Sequence, residues 1–454
     1  MTAIGSKTSQ ALGLIFWFVV AVSGVNIDIK SPESVCSAAK YVADGEFNYY
    51  EGLKSGGTVG MFSQPYYWWH AGEAWGGLLL YYTFCQSDND TLKGIVYDGM
   101  YHQAGHQYNY IPSNQSMTEG NDDQGVWGLT IMEAAERNFS NPQDHSWLSM
   151  SQAIYNTMNS RWDDSSCNGG LRWQIFTWNS GYDYKNTISN GALFHIAARL
   201  ARYTDNETYV DTAEKVYEWM DEVGFLKNNE TKIDLHDGAN VEHNCTDLTT
   251  HKWSYTYGIV TAGCAYMYNH TNDEKWLDRT KKLVEASKYF FKDNIMQETT
   301  CQQTNNCNTD QRTFRSLFSR CLGLTASMAP STNSTIFEWL QTSANHAAQS
   351  CSGGTDHVTC GEDWSHNGWD NKYGLGEQMS ALEVMMAVIM HDYPKPYKAS
   401  SGGTAQSEPE SGLDTQDKVN QNKIHVKTKD KAGAGILTAI VLLILLAGSV
   451  WMAV

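Results

Sequence analysis

Between Ser31 and Asp392, apolar residues recur at helical spacing in about twelve segments. Little of the chain alternates with the period of two that a half-buried strand needs. The segments begin near Glu33, Tyr67, Thr91, Asn121, Asp144, Asn186, Glu207, Lys252, Asp273, Thr309, Ser334 and Gly376. Asn206-Glu207-Thr208-Tyr209 leads into Ala213, Val216, Tyr217 and Met220, a stripe that faces one core. Asp273 opens a run through Trp276, Leu277, Leu283 and Phe290, and Asp310-Gln311 opens one through Phe314, Leu317, Phe318 and Leu322. Links such as Tyr203 to Asn206 and His270 to Asn272 are short and polar, which makes the joined helices antiparallel neighbours. Twelve helices in six hairpins predict an all-α fold, a closed toroid of the (α/α)6 barrel type. Its inner helices would converge on a central cleft. The alternative, an open solenoid, needs a strict sequence period that is absent here.

The ends of the chain carry a different message. Lys7, the apolar stretch Ala11 to Val22 and the small pair Ser23-Gly24 have the layout of a secretory signal, so residues 1–25 are expected to be removed on export. Residues 26–396 are expected to form a single folded domain. Residues 397–435, rich in Ser, Gly, Gln, Asp and Lys, read as a solvated linker. From Ile436 to Val454 no residue is charged. A polar spacer before a terminal apolar tail is the signal for a glycosylphosphatidylinositol (GPI) anchor, with Asn420, Asn422 or Asp430 as attachment candidates. A tail-terminal transmembrane helix is the other reading, and it would usually carry flanking cytoplasmic charge. Either way the folded part faces outward.

Ten cysteines, all after the signal, suit an oxidising compartment. Cys301/Cys307 and Cys351/Cys360 could each close a local loop, and the connectivity stays open. Sequons at Asn89, Asn114, Asn138, Asn206, Asn229, Asn244, Asn269 and Asn333 predict a glycosylated surface. A formal net charge of -18 argues against a nucleic-acid partner. His102 and His106 stand four apart without a further acidic ligand, and no Cys/His spacing suggests zinc, so no metal and no cofactor is expected. A monomer is expected.

The chemistry concentrates in Glu119-Gly120-Asn121-Asp122-Asp123-Gln124-Gly125, just before a helix. Cutting a glycosidic bond needs two neighbouring carboxyl groups, one protonated to expel the leaving oxygen and one charged to act at the sugar carbon. Adjacent carboxylates cannot both ionise easily, and a helix N-terminus favours at least one negative charge. The plainer reading is a helix cap or a calcium-binding pair. The 16 Trp and 25 Tyr serve mostly as core, with a minority left to line a cleft, where a pyranose face packs on a ring. Two loops offer such rings: Gln64 to Glu73 with Tyr66-Tyr67-Trp68-Trp69, and Gly169 to Asn186 with Trp173, Trp178, Tyr182 and Tyr184. Trp68, Trp69, Asn121, Gln124, Trp127, Trp173, Asp183 and Tyr184 are the candidate substrate-binding residues. His195, Arg199 and Arg202, on the following helix, read as surface or packing residues.

These stretches resemble glycoside hydrolase family 76, in its fungal cell-wall branch of mannan endo-1,6-α-mannosidases. The resemblance rests on Tyr66-Tyr67-Trp68-Trp69, Glu119 to Gly125, Asn168 to Gln174, Gly181 to Asn186, Cys307-Asn308-Thr309-Asp310-Gln311 and Gln378 to Glu383, together spanning Pro32 to Asp392. It implies an (α/α)6 barrel acting with retention of configuration, Asp122 as nucleophile and Asp123 as general acid/base. It also implies an α-1,6-mannan or GPI-anchor glycan as substrate, with water or a glucan hydroxyl as acceptor. A non-catalytic mannan-binding surface protein is the competing class; it would not need two adjacent carboxylates. His70 stands where the family pattern leads one to expect an acid, so the substrate-facing edge of that loop is expected to differ.

Overall fold

The computed structural model describes residues 24–115, 118–413 and 428–453. The signal segment through residue 23 and the anchor candidates Asn420 and Asn422 lie outside the described residues. Six helices form an inner ring: α2 (Trp68–Cys85), α4 (Asn121–Glu136), α6 (Thr187–Thr204), α8 (Ser254–Thr271), α10 (Phe314–Met328) and α12 (Leu375–Ile389). Each packs on the next, and α12 returns to α2. Outside them stand α1 (Pro32–Phe47), α3 (Asp90–Tyr101), α5 (Trp147–Ser160), α7 (Glu207–Glu222), α9 (Glu274–Ser287) and α11 (Asn333–Ser350). Outer helices α3 to α11 pack on the inner helix that precedes them, and α1 closes the ring against α12. This is the expected (α/α)6 barrel.

Local sequence accounts for the helix starts. Side chains of Asn89, Ser146, Asn206 and Asp273 accept backbone N–H groups from the first turns of α3, α5, α7 and α9. Inner helices are buried nearly all round, as α12 is throughout, while α7 and α9 keep a charged outer face. The helix expected from Thr309 starts instead at Phe314. Asn308 and Gln311 do form a reciprocal capping pair, at 2.9 and 3.0 Å, but it closes a separate turn that carries Asp310. Short strands were not foreseen. β1 (Tyr184–Asn186), β4 (Gly238–Asn240) and β5 (Leu248–Thr249) make one antiparallel sheet; β2 (Leu226–Asn228) pairs with β3 (Ile233–Leu235), and β6 (Phe291–Lys292) with β7 (Ile295–Met296).

A buried ionic network fills the barrel below the site. Arg199 Nη2 lies 2.6 Å from both Glu133 and Glu136, Arg137 bonds Glu133 at 2.8 Å, and Arg320 pairs with Glu383. Burial would push Glu133 up, but Arg137 and Arg199 outweigh it and hold that carboxyl at about 2. His195, Arg199 and Arg202 are thus buried packing residues and not surface ones.

Disulfides join Cys36–Cys85, Cys167–Cys245, Cys301–Cys307 and Cys351–Cys360, while Cys264 and Cys321 are buried thiols. The polar stretch after Tyr397 differs from the expected solvated linker. Tyr397 N–H donates to Glu136 O at 2.8 Å, Asn138 grips Gly402 and Thr404, and Gln152 and Asn156 bind Ser407, Glu408, Pro409 and Ser411. Residues 397–413 are therefore a strap along α5, and the folded body extends at least to Leu413. Helix α13 (Thr428–Ala453) contains Lys431–Ser449, long and apolar enough to cross a membrane.

Candidate active site

Five inner helices (α2, α4, α6, α8 and α10) send their first turns into one cavity of about 390 Å³. At the start of α4, Gly120 is the extended residue before the helix, and Asn121, Asp122 and Asp123 are its first three positions. The Gly120 N–H donates to Asp123 Oδ2 at 2.6 Å. Trp173 Nε1–H donates to Asp122 Oδ2 at 2.7 Å. That indole is held in turn by its backbone: Asn121 N–H donates to Trp173 O at 2.8 Å, and Trp173 N–H to Tyr184 O at 2.7 Å. Only glycine fits at 120, because a Cβ would run into Asp122 Oδ1 and stand 3.1 Å from Trp173 O.

The walls are aromatic and acidic. Tyr67, Trp68, Trp69, Trp173, Tyr255 and Phe314 supply the rings, and Tyr255 lies parallel to Phe314 at 3.8 Å. Glu119, Asp122, Asp123 and Asp310 supply the carboxyl groups. Burial pushes Asp122 up to about 7, against the pull of the Asp123 and Asp122 backbone N–H groups and Trp173. Burial and then the Asp122 charge push Asp123 well above the usual carboxylate range. Burial and the mutual charge therefore favour a proton on the pair, which titrates as a unit, and the Trp173 donor favours charge on Asp122.

His70 is buried and stacked on Trp69 at 4.0 Å. Its Nδ1 accepts from Tyr67 N–H at 2.9 Å, and its Nε2 lies 3.1 Å from Asp310 Oδ1. The Gln64 to Glu73 loop is thereby fixed at the cavity. His70 here lies against an acid from another element.

Of the sequence-predicted residues, Asp122, Asp123, Trp68, Trp69 and Trp173 meet at the cavity. Asn121, Gln124 and Trp127 sit behind it. Asn121 donates to Arg172 O at 2.9 Å and accepts from Arg161 Nε at 2.7 Å; Gln124 holds Asn109 O and Thr157 and accepts from Arg161 Nη2. Trp127 is fully buried, its Nε1 on Trp68 O. Asp183 lies off the cavity, its side chain 83 % exposed and 3.6 Å from Arg172. Tyr184 turns its hydroxyl to Asp237 at 2.6 Å. Glu119, Tyr67, Asp310, Tyr255 and Phe314 were not singled out as site residues. Glu119, Tyr67 and Asp310 belong to motifs already visible in the sequence, whereas Tyr255 and Phe314 look like any core aromatic at a helix start. Among the described residues, no group of three or more His, Cys, Asp or Glu side chains converges as a metal site.

The sequence profile of Glycosyl hydrolase family 76 matches residues 34–400. The chain belongs to this family. As a member of family 76 it is a glycosidase, and the carboxyl pair at the cavity accords with that chemistry. The mannan endo-1,6-alpha-mannosidase DFG5 of Candida albicans is 60 % identical over 98 % of this chain and 99 % of its own length. The DFG5 enzyme of Saccharomyces cerevisiae is 52 % identical over 96 % and 95 %. Among solved structures, Dfg5 from Chaetomium thermophilum in complex with glucosamine matches with TM-score 0.82 and 35 % identity, covering 87 % of this chain and 99 % of that one. An inactive variant of a family 76 α-1,6-mannanase from Salegentibacter in complex with α-1,6-mannotriose shares the fold at TM-score 0.62 and 15 % identity, covering 78 % and 99 %.

Proposed function

We propose that this family 76 enzyme is a retaining, endo-acting α-1,6-mannosidase that works as a transglycosylase. Asp122 attacks the anomeric carbon of an α-1,6-linked mannose and forms an ester to it as the C1–O6 bond breaks. Asp123 gives its proton to the departing O6. The Asp123 carboxylate then takes the proton of an incoming hydroxyl, whose oxygen displaces Asp122 from C1. The observation that carries this reading is the placement of two adjacent carboxyl groups in one aromatic cavity, with the indole N–H of Trp173 donated to Asp122 alone, while burial and the Asp122 charge push Asp123 well above the usual carboxylate range. The names of the relatives supply the linkage. Stacking on Tyr67, Trp69, Trp173, Tyr255 and Phe314 would hold the mannose rings.

The acceptor in this reading is a glucan hydroxyl, and the donor is a mannosylated anchor glycan carrying its protein, so that the transfer builds cell wall. Export fits the four disulfides and the eight sequons, and a GPI anchor fits the apolar segment of α13. The test incubates residues 26–413 with an α-1,6-mannooligosaccharide and a β-glucan acceptor, with products read by mass spectrometry and Asp122→Asn/Asp123→Asn as control. Mannose joined to glucan, lost in the double variant, is the expected result. Shortened mannosides alone would make the enzyme a hydrolase. Binding without any product would leave a mannan-binding protein.

A further inference from the structure

Glu119 stands immediately before Gly120, and its side chain lines the same cavity as Asp122 and Asp123. It is 2 % exposed, and neither carboxyl oxygen has a hydrogen-bond partner among the described residues. The cation that faces it, Arg161, is committed elsewhere: Nε to Asn121 and Nη2 to Gln124. Arg161 Nη1 has no hydrogen-bond partner either, and no ion pair joins Arg161 to Glu119 among the described residues. The remaining titratable groups on this cavity are Asp122 and Asp123 on α4, Asp310 before α10 with His70 behind it, Tyr255 on α8 and Tyr67 before α2. None of them offers Glu119 a positive charge in contact.

An ionised carboxylate so placed is strongly unfavourable, and it would add one more negative charge to an acidic cavity. Burial first and Asp123 second drive the Glu119 carboxyl well above the usual range, so it carries a proton. A protonated carboxyl is a hydrogen-bond donor. The neighbour whose charge changes during the reaction is Asp123, neutral before it protonates the leaving oxygen and anionic afterwards.

We propose that Glu119 is a positioning residue for Asp123, its carboxyl O–H turning onto the Asp123 carboxylate once that group has given up its proton. This rests on Asp123 being the acid/base group, as read above. With the donor in place, the ionised Asp123 is stabilised and held in orientation while the incoming hydroxyl approaches. The side chain of Glu119 itself need not touch the sugar.

The sign of a pH shift tests the assignment. Removing a donor from ionised Asp123 raises the Asp123 pKa, whereas removing an anion from beside it lowers that pKa. For full-length protein, kcat/KM against pH is therefore measured on an α-1,6-mannooligosaccharide for wild type, Glu119→Gln and Glu119→Ala. Glu119→Gln, a neutral donor of the same shape, should stay within about threefold of wild type with its alkaline limb unmoved, while Glu119→Ala should lose about 10–100-fold and move the limb upward. An alkaline limb that moves to lower pH in either variant overturns the proposal, as does a Glu119→Ala protein indistinguishable from wild type. If Glu119→Ala does not fold, Glu119→Gln decides, together with the infrared carbonyl stretch of a protonated carboxyl. That band should remain in the wild-type-minus-Glu119→Gln difference spectrum, where the other protonated carboxyl groups cancel; its absence from the difference overturns the idea. Asp123→Asn is run alongside: an alkaline limb that survives there removes the acid/base role of Asp123, and the present proposal with it.

Discussion

Among the described residues Trp173 gives Asp122 the one side-chain hydrogen bond it accepts, so its indole N–H favours the charged form against burial. Replacing it by Phe keeps a ring and removes the donor. The Asp122 pKa then rises, and the acid limb of the activity profile should move up by about one pH unit; an unmoved limb in kcat against pH would mean the indole only packs. The sequons separate on similar grounds. A glycan needs the Nδ2 of its asparagine. Among the described residues, Asn206 and Asn229 use only Oδ1, as acceptors for their own turns, and donate Nδ2 to none. Asn269 donates Nδ2 to Met328 O at 3.2 Å and accepts from Arg202. Glycopeptide mass spectrometry should find sugar on Asn206 and Asn229 and none on Asn269. The acidic pair and Trp173 were legible because their chemistry is written in adjacent residues. Asn121, Gln124 and Trp127 lie behind the cavity because consecutive helix positions point around the helix, and Asp122, Asp123 and Val126 are the positions of α4 that face it. Tyr255 and Phe314 meet the pair through the ring, which no local spacing records.

The twelve helices could be read from their caps and stripes because burying one face of a helix needs a regular apolar period. The exception at Thr309 is instructive: the capping signal was real, but it served a turn that presents Asp310 to the cavity. Strands of two or three residues leave no alternation long enough to detect. Nor does the strap, whose polar residues are held through backbone carbonyls and side-chain amides of α5 and its neighbours. Its contribution is measurable. A protein ending at residue 396 forfeits the bonds from Asn138, Gln152 and Asn156 and uncovers Tyr203, which accepts from Ala405 N–H at 3.2 Å. Its Tm should fall on the order of 5 °C below that of a protein ending at 413; equal melting would make the strap an ornament.

Across the whole barrel, buried carboxyl groups set how stability follows pH. Glu133, held at about 2 by Arg137 and Arg199, contributes stability above the unfolded carboxylate range and loses it as pH falls toward 2. Burial raises Glu73 to about 7 and Glu298 to about 8, and pushes Glu119 up as well. Those groups hold protons that the unfolded chain releases, so their contribution is complete below the unfolded pKa and disappears as pH rises through 7 and 8. Thermal melts should therefore be highest in mildly acidic buffer and decline toward alkaline pH; a plateau through pH 8 would contradict the assignment.

The closure of α1 against α12 also sets a timetable. Val35, Ala38, Ala39 and Val42 bury a face of α1, which packs on a helix made near the end of the domain. At the ~5–20 residues per second of synthesis, the roughly 300 residues between them take on the order of half a minute. Throughout that interval the first helix of the barrel has no ring to join. A newborn chain must stay open for that long, and the last inner helix is what lets the first one settle.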